Sequence, residues 1–242
     1  MKINKIIETI EELYPPNIQE DWDNSGWQIK LQNNETQNIL LALSPSTNLI
    51  KQAIEHNCKL IITHHPLFFG NIRSLNIKNQ EENIAIELIQ NDIQLYTAHT
   101  NLDKAPNGTN DTLAKLLELK NTKTVENFVK IGEIEPISIE KFIILIKNLL
   151  NIDKIKITNP TNQKTIQKIG LCTGSGGEFV NKIQDIDVFL TGDIKYHTAI
   201  SSNTCLFDIG HFESEKIILP ILKKIIGENA IIAQETPPWI FA

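Results

Sequence analysis

Five residues that can bind a metal ion follow short apolar runs of the sequence: His64, His65, Asp103, His211 and Glu215. Imidazole nitrogens and carboxylate oxygens are ligands for divalent zinc, iron, manganese and nickel. His211 and Glu215 are four residues apart, so on a helix both side chains project from one face. His64 and His65 are adjacent, and at a strand end the turning backbone lets two neighbouring imidazoles serve two ions. Asp103 and Glu215 could bridge or cap such a pair of ions. Two-metal sites favour hydrolytic chemistry.

Two further histidines, His99 and His197, also follow apolar runs of the sequence. Imidazole titrates near neutral pH, so either residue could act as the general acid or base of a hydrolytic reaction. Asp193 lies four residues before His197. For Asp193, a supporting contact to the site competes with the ordinary role of capping the next helix.

Ordinary structural roles compete with metal binding at several positions. Glu215 could complement the dipole at a helix N-terminus, and Asp103 could close a turn. His56, near the end of a predicted helix, is expected to be a surface residue. The Gly174–Gly177 turn resembles a phosphate-binding loop, but it lacks the spacing of either nucleotide fingerprint. A plain strand-to-helix turn is therefore favoured there.

An alternation of short apolar runs and amphipathic segments must position these residues. The apolar runs predict strands at 39–43, 59–63, 93–98, 128–133, 154–158, 166–172, 188–191, 205–209 and 230–233. Helical spacing predicts helices at 2–13, 46–57, 81–90, 109–119, 139–150, 179–183, 196–201 and 213–226, with Pro220 kinking the last. This order predicts an α/β fold with mixed, largely parallel sheets covered by helices. Carboxyl ends of parallel strands share one sheet edge, where the candidate residues would meet.

A polar stretch at 120–124 separates two α/β halves of the sequence. The length of 242 residues suits between one and two domains. We predict a first α/β domain of residues 1–122 with about 219–242, which carries part of the metal site. Residues 123–218 form the predicted second α/β domain.

Composition narrows the class of protein. The sequence has 23 basic and 29 acidic side chains, a net charge of −6, which disfavours general binding of nucleic-acid backbone. Its apolar fraction of 41% is that of a globular protein. Three widely spaced cysteines give no disulfide framework and suit the reducing cytoplasm. The N-terminus does not resemble a signal peptide, and no apolar run is long enough to span a membrane.

Five motifs, in order along almost the whole chain, resemble those of the Nif-three-like family, also labelled GTP cyclohydrolase I type 2 homologues. The resemblance is to the short bacterial form, without an inserted middle domain. The motifs are Asp23–Gln28, Thr63–Pro66, Ala98–Asp103, Thr191–His197 and Gly210–Glu215. Each motif alone is weak, but five in this order are highly specific. Trp27 stands where the family usually has leucine, and Thr198 where it often has an acid.

The resemblance implies a dinuclear centre with two divalent metal ions per chain, their identity left open among zinc, iron, manganese and nickel. By the family pattern, His65 and Asp103 serve one ion, His64 and His211 serve the other, and Glu215 bridges them. The resemblance also implies two interlocked α/β domains and a homohexamer.

Two functions follow from these observations. The first is a metal-dependent hydrolase, GTP cyclohydrolase I type 2-like, acting on a nucleotide or another phosphorylated small molecule, with His99 or His197 as general acid or base. The second is a non-catalytic metal-binding, metal-delivery or regulatory protein.

Overall fold

Two mixed β-sheets flanked by helices form the framework of residues 1–239, which the computed structural model describes. The helices are α1 (Ile3–Leu13), α2 (Thr47–Glu55), α3 (Gln80–Gln90), α4 (Thr100–Lys104), α5 (Thr109–Leu116), α6 (Ile139–Leu150), α7 (Tyr196–Ser201), α8 (His211–Glu215) and α9 (Leu219–Ile226). The strands are β1 (Gly26–Ile29), β2 (Asn38–Ala42), β3 (Cys58–Thr63), β4 (Gln94–Thr97), β5 (Lys120–Val125), β6 (Val129–Ser138), β7 (Lys156–Thr158), β8 (Thr165–Leu171), β9 (Val188–Thr191), β10 (Cys205–Asp208) and β11 (Ala230–Ile232). The predicted α/β class with mixed, largely parallel sheets is confirmed.

The chain forms two compact units, residues 1–106 with the segment from 218 onward, and residues 107–217. The first unit has the strand order β1-β4-β3-β2-β11, in which only β1 pairs antiparallel. Its strands β2 and β3 carry continuous apolar runs, such as Leu60-Ile61-Ile62 in β3, because helices cover both faces of a parallel sheet. Thr63 of β3 lies opposite Ala42 of β2 and Thr97 of β4, so the carboxyl ends of these three strands are level.

The second unit has the strand order β5-β6-β8-β9-β10-β7. Strands β8, β9 and β10 are parallel to one another, and β5, β6 and β7 pair antiparallel with their neighbours. Leu171 pairs with Leu190, and Thr191 pairs with Asp208, so the carboxyl ends of the parallel strands again lie at one edge. Ser138 caps α6 by accepting a hydrogen bond from the Lys141 amide, as the sequence pattern favours.

The division into units differs from the predicted domains. Helix α5 lies in the second unit, because Leu113, Ala114 and Leu117 pack in its apolar core. The polar stretch at 120–124, expected to separate the domains, is the edge strand β5. Its side chains are largely exposed, so it lacks the apolar alternation by which strands are recognised. Of the predicted segment 219–242, the last three residues lie outside the described residues.

The expected long helix at 213–226 is instead three segments. Helix α8 is followed by a 3-10 turn, Lys216–Ile218, and then by α9. Pro220 lies in the first turn of α9, where a backbone N–H has no helical acceptor, so the missing N–H of proline costs no hydrogen bond. It therefore starts a helix and does not kink one. The helix expected near 179–183 is a 3-10 turn at Gly177–Phe179.

Strand β1 and helix α4, which lie beside the candidate site, were not predicted from the sequence.

None of the helices in residues 1–239 has the length and apolar character that a bilayer crossing requires.

Candidate metal centre

Three histidines of the first unit meet at the level carboxyl ends of its strands. His64 and His65 directly follow β3, and His99 is the second residue after β4. One ring nitrogen of each histidine lies within 4.8 Å of those of the other two. Asp103, on α4, places Oδ1 3.6 Å from Nε2 of His64. The first unit therefore brings together four of the sequence-predicted residues.

The imidazoles of His64 and His65 are each fixed through Nδ1. His64 is buried, and its Nδ1 donates to the Ala98 carbonyl at 2.9 Å. Nδ1 of His65 lies 2.8 Å from the Ser44 hydroxyl. With Nδ1 engaged, Nε2 is the atom that can coordinate an ion. Histidine ligands of metals are usually held in this way, since the second hydrogen bond sets the tautomer and the ring orientation.

The turn after β3 explains how adjacent histidines present their rings together. The Thr63 hydroxyl donates to the His65 carbonyl at 2.8 Å and closes this turn. The backbone amides of His64 and His65 are bonded to the carbonyls of Ala42 and Leu43, which ties the turn to β2. The two ring centroids lie 5.0 Å apart, as predicted for neighbouring imidazoles at a strand end.

His99 is held by a buried carboxylate that sequence reasoning did not assign to the site. Asp23 Oδ1 accepts from His99 Nδ1 at 2.7 Å, and its other oxygen accepts from the Thr100 amide at 3.0 Å and the Ser25 hydroxyl at 2.9 Å. Burial alone would raise the pKa of Asp23, but these hydrogen bonds and the His99 charge hold it well below the usual carboxyl range. Asp23 is therefore ionised at neutral pH. The only sequence signal for it was the motif at 23–28.

The second unit carries an imidazole–carboxylate pair on α8. Nε2 of His211 lies 3.2 Å from Oε2 of Glu215, one helical turn away, and Glu215 is buried. Asp193 Oδ2 accepts from His211 Nδ1 at 2.6 Å, so the ring is held with Nε2 on the side of Glu215. The N-cap of α7 is Lys195. The contact to His211 is thus the role that the structure gives Asp193, and helix capping is not.

The protonation state of His211 shows what these carboxylates do without a metal. Burial opposes protonation, but Glu215 and Asp193 outweigh it and raise the pKa of His211 to about 9. At neutral pH the metal-free imidazole therefore carries a proton between two carboxylates. A divalent cation would replace that proton and satisfy the same charges.

The donor set fits divalent metal ions. Two ligand atoms bound about 2.1 Å from one ion at the tetrahedral angle are about 3.4 Å apart. The observed 3.6 Å for His64 and Asp103, and 3.2 Å for His211 and Glu215, lie close to that value. Neutral imidazole with carboxylate oxygen suits zinc, iron, manganese or nickel.

The glycine-rich turn after β8 packs against the α8 pair. Gly174 has φ +68°, and a Cβ there would overlap the Glu215 carboxylate and lie 3.5 Å from His211 Nε2. Its amide donates to the Ser214 hydroxyl at 3.0 Å, and its carbonyl accepts from the Gly192 amide at 2.8 Å. The turn therefore packs directly against Glu215 and requires glycine at position 174, which the plain turn expected from the sequence would not.

The other two histidines lie apart from these clusters. His197 is exposed on α7, and its ring contacts Tyr196 at 5.4 Å between centroids. His56 is the exposed C-cap of α2, as expected for a surface residue.

Comparison with known proteins gives consistent matches over the whole chain. The model of the family described as Duf34/NIF3 (NGG1p interacting factor 3) matches residues 1–237. Proteins named GTP cyclohydrolase 1 type 2 homolog are similar: that of Campylobacter jejuni is 36% identical over 227 residues, 93% of this chain and 91% of its own. That of Clostridium perfringens is 34% identical over 239 residues, 93% and 90% of the two chains.

Solved structures agree with these matches. A hypothetical protein from Staphylococcus aureus superposes with a TM-score of 0.89 at 27% identity, covering 100% of this chain and 99% of its own. Reduced HcgD from Methanocaldococcus jannaschii gives 0.86 at 29% identity, covering 96% of each chain.

Replacing Gly174 with alanine should disturb the Glu215–His211 pair. The new Cβ would meet the Glu215 carboxylate at a left-handed backbone position, so Gly174→Ala should cost about 1–3 kcal/mol of unfolding free energy. Displacing Glu215 should also lower the pKa of His211 in metal-free protein from about 9 towards 6.5. Urea denaturation and an NMR titration of the His211 ring measure the two effects.

The matched control is Gly177→Ala in the same turn, where a Cβ would meet nothing within 4 Å. That variant should change stability by no more than about 0.5 kcal/mol and leave the His211 titration unchanged. Equal behaviour of the two variants would show that Gly174 does not position Glu215.

Proposed function

We propose, because this chain belongs to the Duf34/NIF3 family, that it binds two divalent metal ions and hydrolyses a nucleotide or another phosphorylated small molecule. One observation carries the proposal. His64, His65 and His211 each have Nδ1 engaged by an oxygen atom, so that each Nε2 can coordinate an ion. Carboxylate oxygens lie 3.6 Å from Nε2 of His64 and 3.2 Å from Nε2 of His211, close to the separation of two ligands of one ion. When bound, two divalent ions would supply Lewis acidity and lower the pKa of water, chemistry suited to hydrolysis.

We assign the ligands by the family pattern. His65 and Asp103 hold one ion, His64 and His211 hold the other, and Glu215 bridges the two. The distance of 3.6 Å between His64 Nε2 and Asp103 Oδ1 also suits one shared ion. Double variants separate the two assignments by metal count: Asp103→Ala combined with replacement of its co-ligand should lose one ion, whereas Asp103→Ala combined with replacement of the other histidine should lose both.

His99 is proposed as the general acid or base. It lies in the first-unit cluster, and the Asp23 carboxylate holds its ring in one orientation through Nδ1. A carboxylate–imidazole pair of this kind can take up a proton at Nε2 and return it within one cycle. His197 remains the second candidate for this role, although its exposure on α7 gives it less support.

Burial of the ligands favours a second candidate function. His64 is fully buried, and the Glu215 side chain is 5% exposed. Ligands this far from solvent would retain an ion, which suits a non-catalytic metal-binding, metal-delivery or regulatory protein. The two functions differ in one measurement, turnover by fully metallated protein.

The metal proposal predicts unequal losses among acidic variants. Wild-type protein should hold two ions per chain, and Glu215→Ala should lose at least one, because it removes a direct ligand. Asp193→Ala removes only the partner of His211 Nδ1, so it should weaken binding about 10- to 100-fold and still fill at saturating metal. Metal analysis after dialysis and competition with a chelator give the counts and affinities.

Glu213→Ala, on the same helix, is the control and should bind as wild type. Affinity for metal should fall as pH drops below about 9, by roughly tenfold per pH unit, because the ion must displace the His211 proton. Equal metal content in Glu215→Ala and Asp193→Ala would contradict the assignment of Glu215 as a direct ligand.

The acid–base proposal predicts that His99→Ala keeps its metal and loses about 10²- to 10⁴-fold in kcat. Asp23→Asn should lose less in kcat than His99→Ala, because it weakens the hydrogen bond that fixes the tautomer and ring orientation of His99 but leaves the imidazole in place. Hydrolysis of a panel of nucleotides and phosphoesters, with bound metal measured in parallel across pH, tests both variants beside His197→Ala. Turnover by none of the panel with fully metallated wild type would favour the metal-binding function.

We also propose a closed homo-oligomer, a hexamer, in the cytoplasm. The hexamer rests on the family resemblance and on the prevalence of closed symmetry among soluble assemblies. The cytoplasmic location rests on the widely spaced cysteines, which suit a reducing compartment. Light scattering should give six times the chain mass of 27.4 kDa. A monomer at working concentrations would contradict it.

A further inference from the structure

Glu235 is a carboxylate of the C-terminal segment that lies at the carboxyl end of β2. Strand β11 pairs parallel with β2, and the Ala233 amide extends that ladder by donating to the Leu41 carbonyl at 2.8 Å. Two residues further on, Glu235 Oε2 accepts from the Leu43 amide at 2.7 Å, and Oε1 accepts from the Ser44 amide at 3.1 Å. The strand pairing therefore brings a carboxylate from the far end of the sequence to the residues that directly follow β2.

Leu43 and Ser44 are also residues that hold His65. The Leu43 carbonyl accepts from the His65 amide at 2.8 Å, and the Ser44 hydroxyl lies 2.8 Å from His65 Nδ1. Each of these two residues is thus bonded to Glu235 on one side and to His65 on the other. The first contact fixes the backbone of His65, and the second fixes its ring.

The position of Glu235 calls for an ionised carboxylate, because both of its oxygens face N–H donors. A glutamine side chain has one acceptor oxygen and would turn its NH2 group towards the other donor. Burial raises the pKa of the Glu235 carboxyl, and the hydrogen bonds from the two backbone amides act in the opposite direction. The two amides therefore stabilise the charged form, which is the form that can accept from both.

A second pair of hydrogen bonds anchors the same segment at the neighbouring residue. Gln52, on α2, donates from Nε2 to the Gln234 carbonyl at 3.0 Å and accepts at Oε1 from the Gln234 amide at 2.8 Å. Removing the Gln52 side chain would loosen the segment and leave Leu43 and Ser44 bonded to Glu235. The chain thus offers a matched comparison between anchoring the segment and holding His65.

We propose that Glu235 is a positioning residue for the metal centre, which holds His65 with Nε2 presented to an ion by fixing Leu43 and Ser44. The proposal rests on the proposed function for the role of His65 as a ligand and deepens it, since it adds a residue outside the five motifs of the sequence. Hydrogen bonds behind a histidine ligand set its tautomer and ring orientation, and their loss weakens metal binding by about 10- to 100-fold. Here the partner of the ring is itself held by a carboxylate 191 residues later in the chain.

The test compares Glu235→Gln with Gln52→Ala in the full chain, by competition for zinc with a chelator and by NMR of the His65 ring in metal-free protein. Glu235→Gln should weaken binding of one of the two proposed ions about 10- to 100-fold and affect the other less, because only one ion uses His65. It should also lower the share of the His65 tautomer that carries the proton on Nδ1, since the Ser44 hydroxyl is no longer held in place. Gln52→Ala should lower the urea midpoint of unfolding as well, but it should change neither the zinc affinity nor the tautomer.

Ser44→Ala removes the link between Glu235 and the ring. It should reproduce both effects, and Ser44→Ala combined with Glu235→Gln should lose less affinity than the product of the two single losses, because both changes break one chain of contacts. Single losses that multiply in full would overturn the proposal. So would a Glu235→Gln variant with the zinc affinity and tautomer of Gln52→Ala, which would leave Glu235 as an anchor of the segment. A wild type that binds no divalent ion would refute the proposed function, and the tautomer in metal-free protein would still decide whether Glu235 holds His65.

Discussion

The candidate site of the first unit depends on the register in which β2, β3 and β4 pair. Ala42, Thr63 and Thr97 lie side by side, so the residues that follow them leave the sheet at one level. His64 and His99 follow directly from that alignment. Because side chains alternate along a strand, a slip of one residue in β3 would point its side chains to the opposite faces and remove the cluster. Burial of β3 on both faces makes such a slip costly.

Buried carboxylates impose the second constraint. Asp23 and Glu215 are both removed from water, and an isolated buried carboxylate is strongly unfavourable. Each faces an imidazole, so a proton or a cation on the ring offsets its charge. The carboxylates raise the pKa of His211 to about 9, so the imidazole keeps its proton at neutral pH until a divalent metal ion displaces it. The same electrostatics that stabilise the metal-free pair therefore favour a divalent ion.

The sequence predicted the two sheets, most helices and the residues that meet within each unit. Strand ends are local features, and an apolar run followed by histidine is visible without knowing the fold. Asp23 was missed because its partner His99 lies 76 residues away, joined only by folding. Strand β5 was missed because an exposed edge strand has no apolar face, and Pro220 was misjudged because its effect depends on whether it starts a helix or interrupts one. Local patterns show polar residues but not their distant partners.

The environment of His99 bears on the choice between hydrolysis and metal storage. The first unit already supplies His64, His65 and Asp103 as proposed ligands, so coordination does not require a further imidazole. Yet the chain buries the Asp23 side chain to hold His99 in one orientation, and hydrogen bonds from Ser25 and Thr100 help to fix the carboxylate. A proton-transfer group beside the ligands needs a fixed tautomer and ring orientation, and the Asp23 carboxylate gives His99 both, as the proposed hydrolase requires.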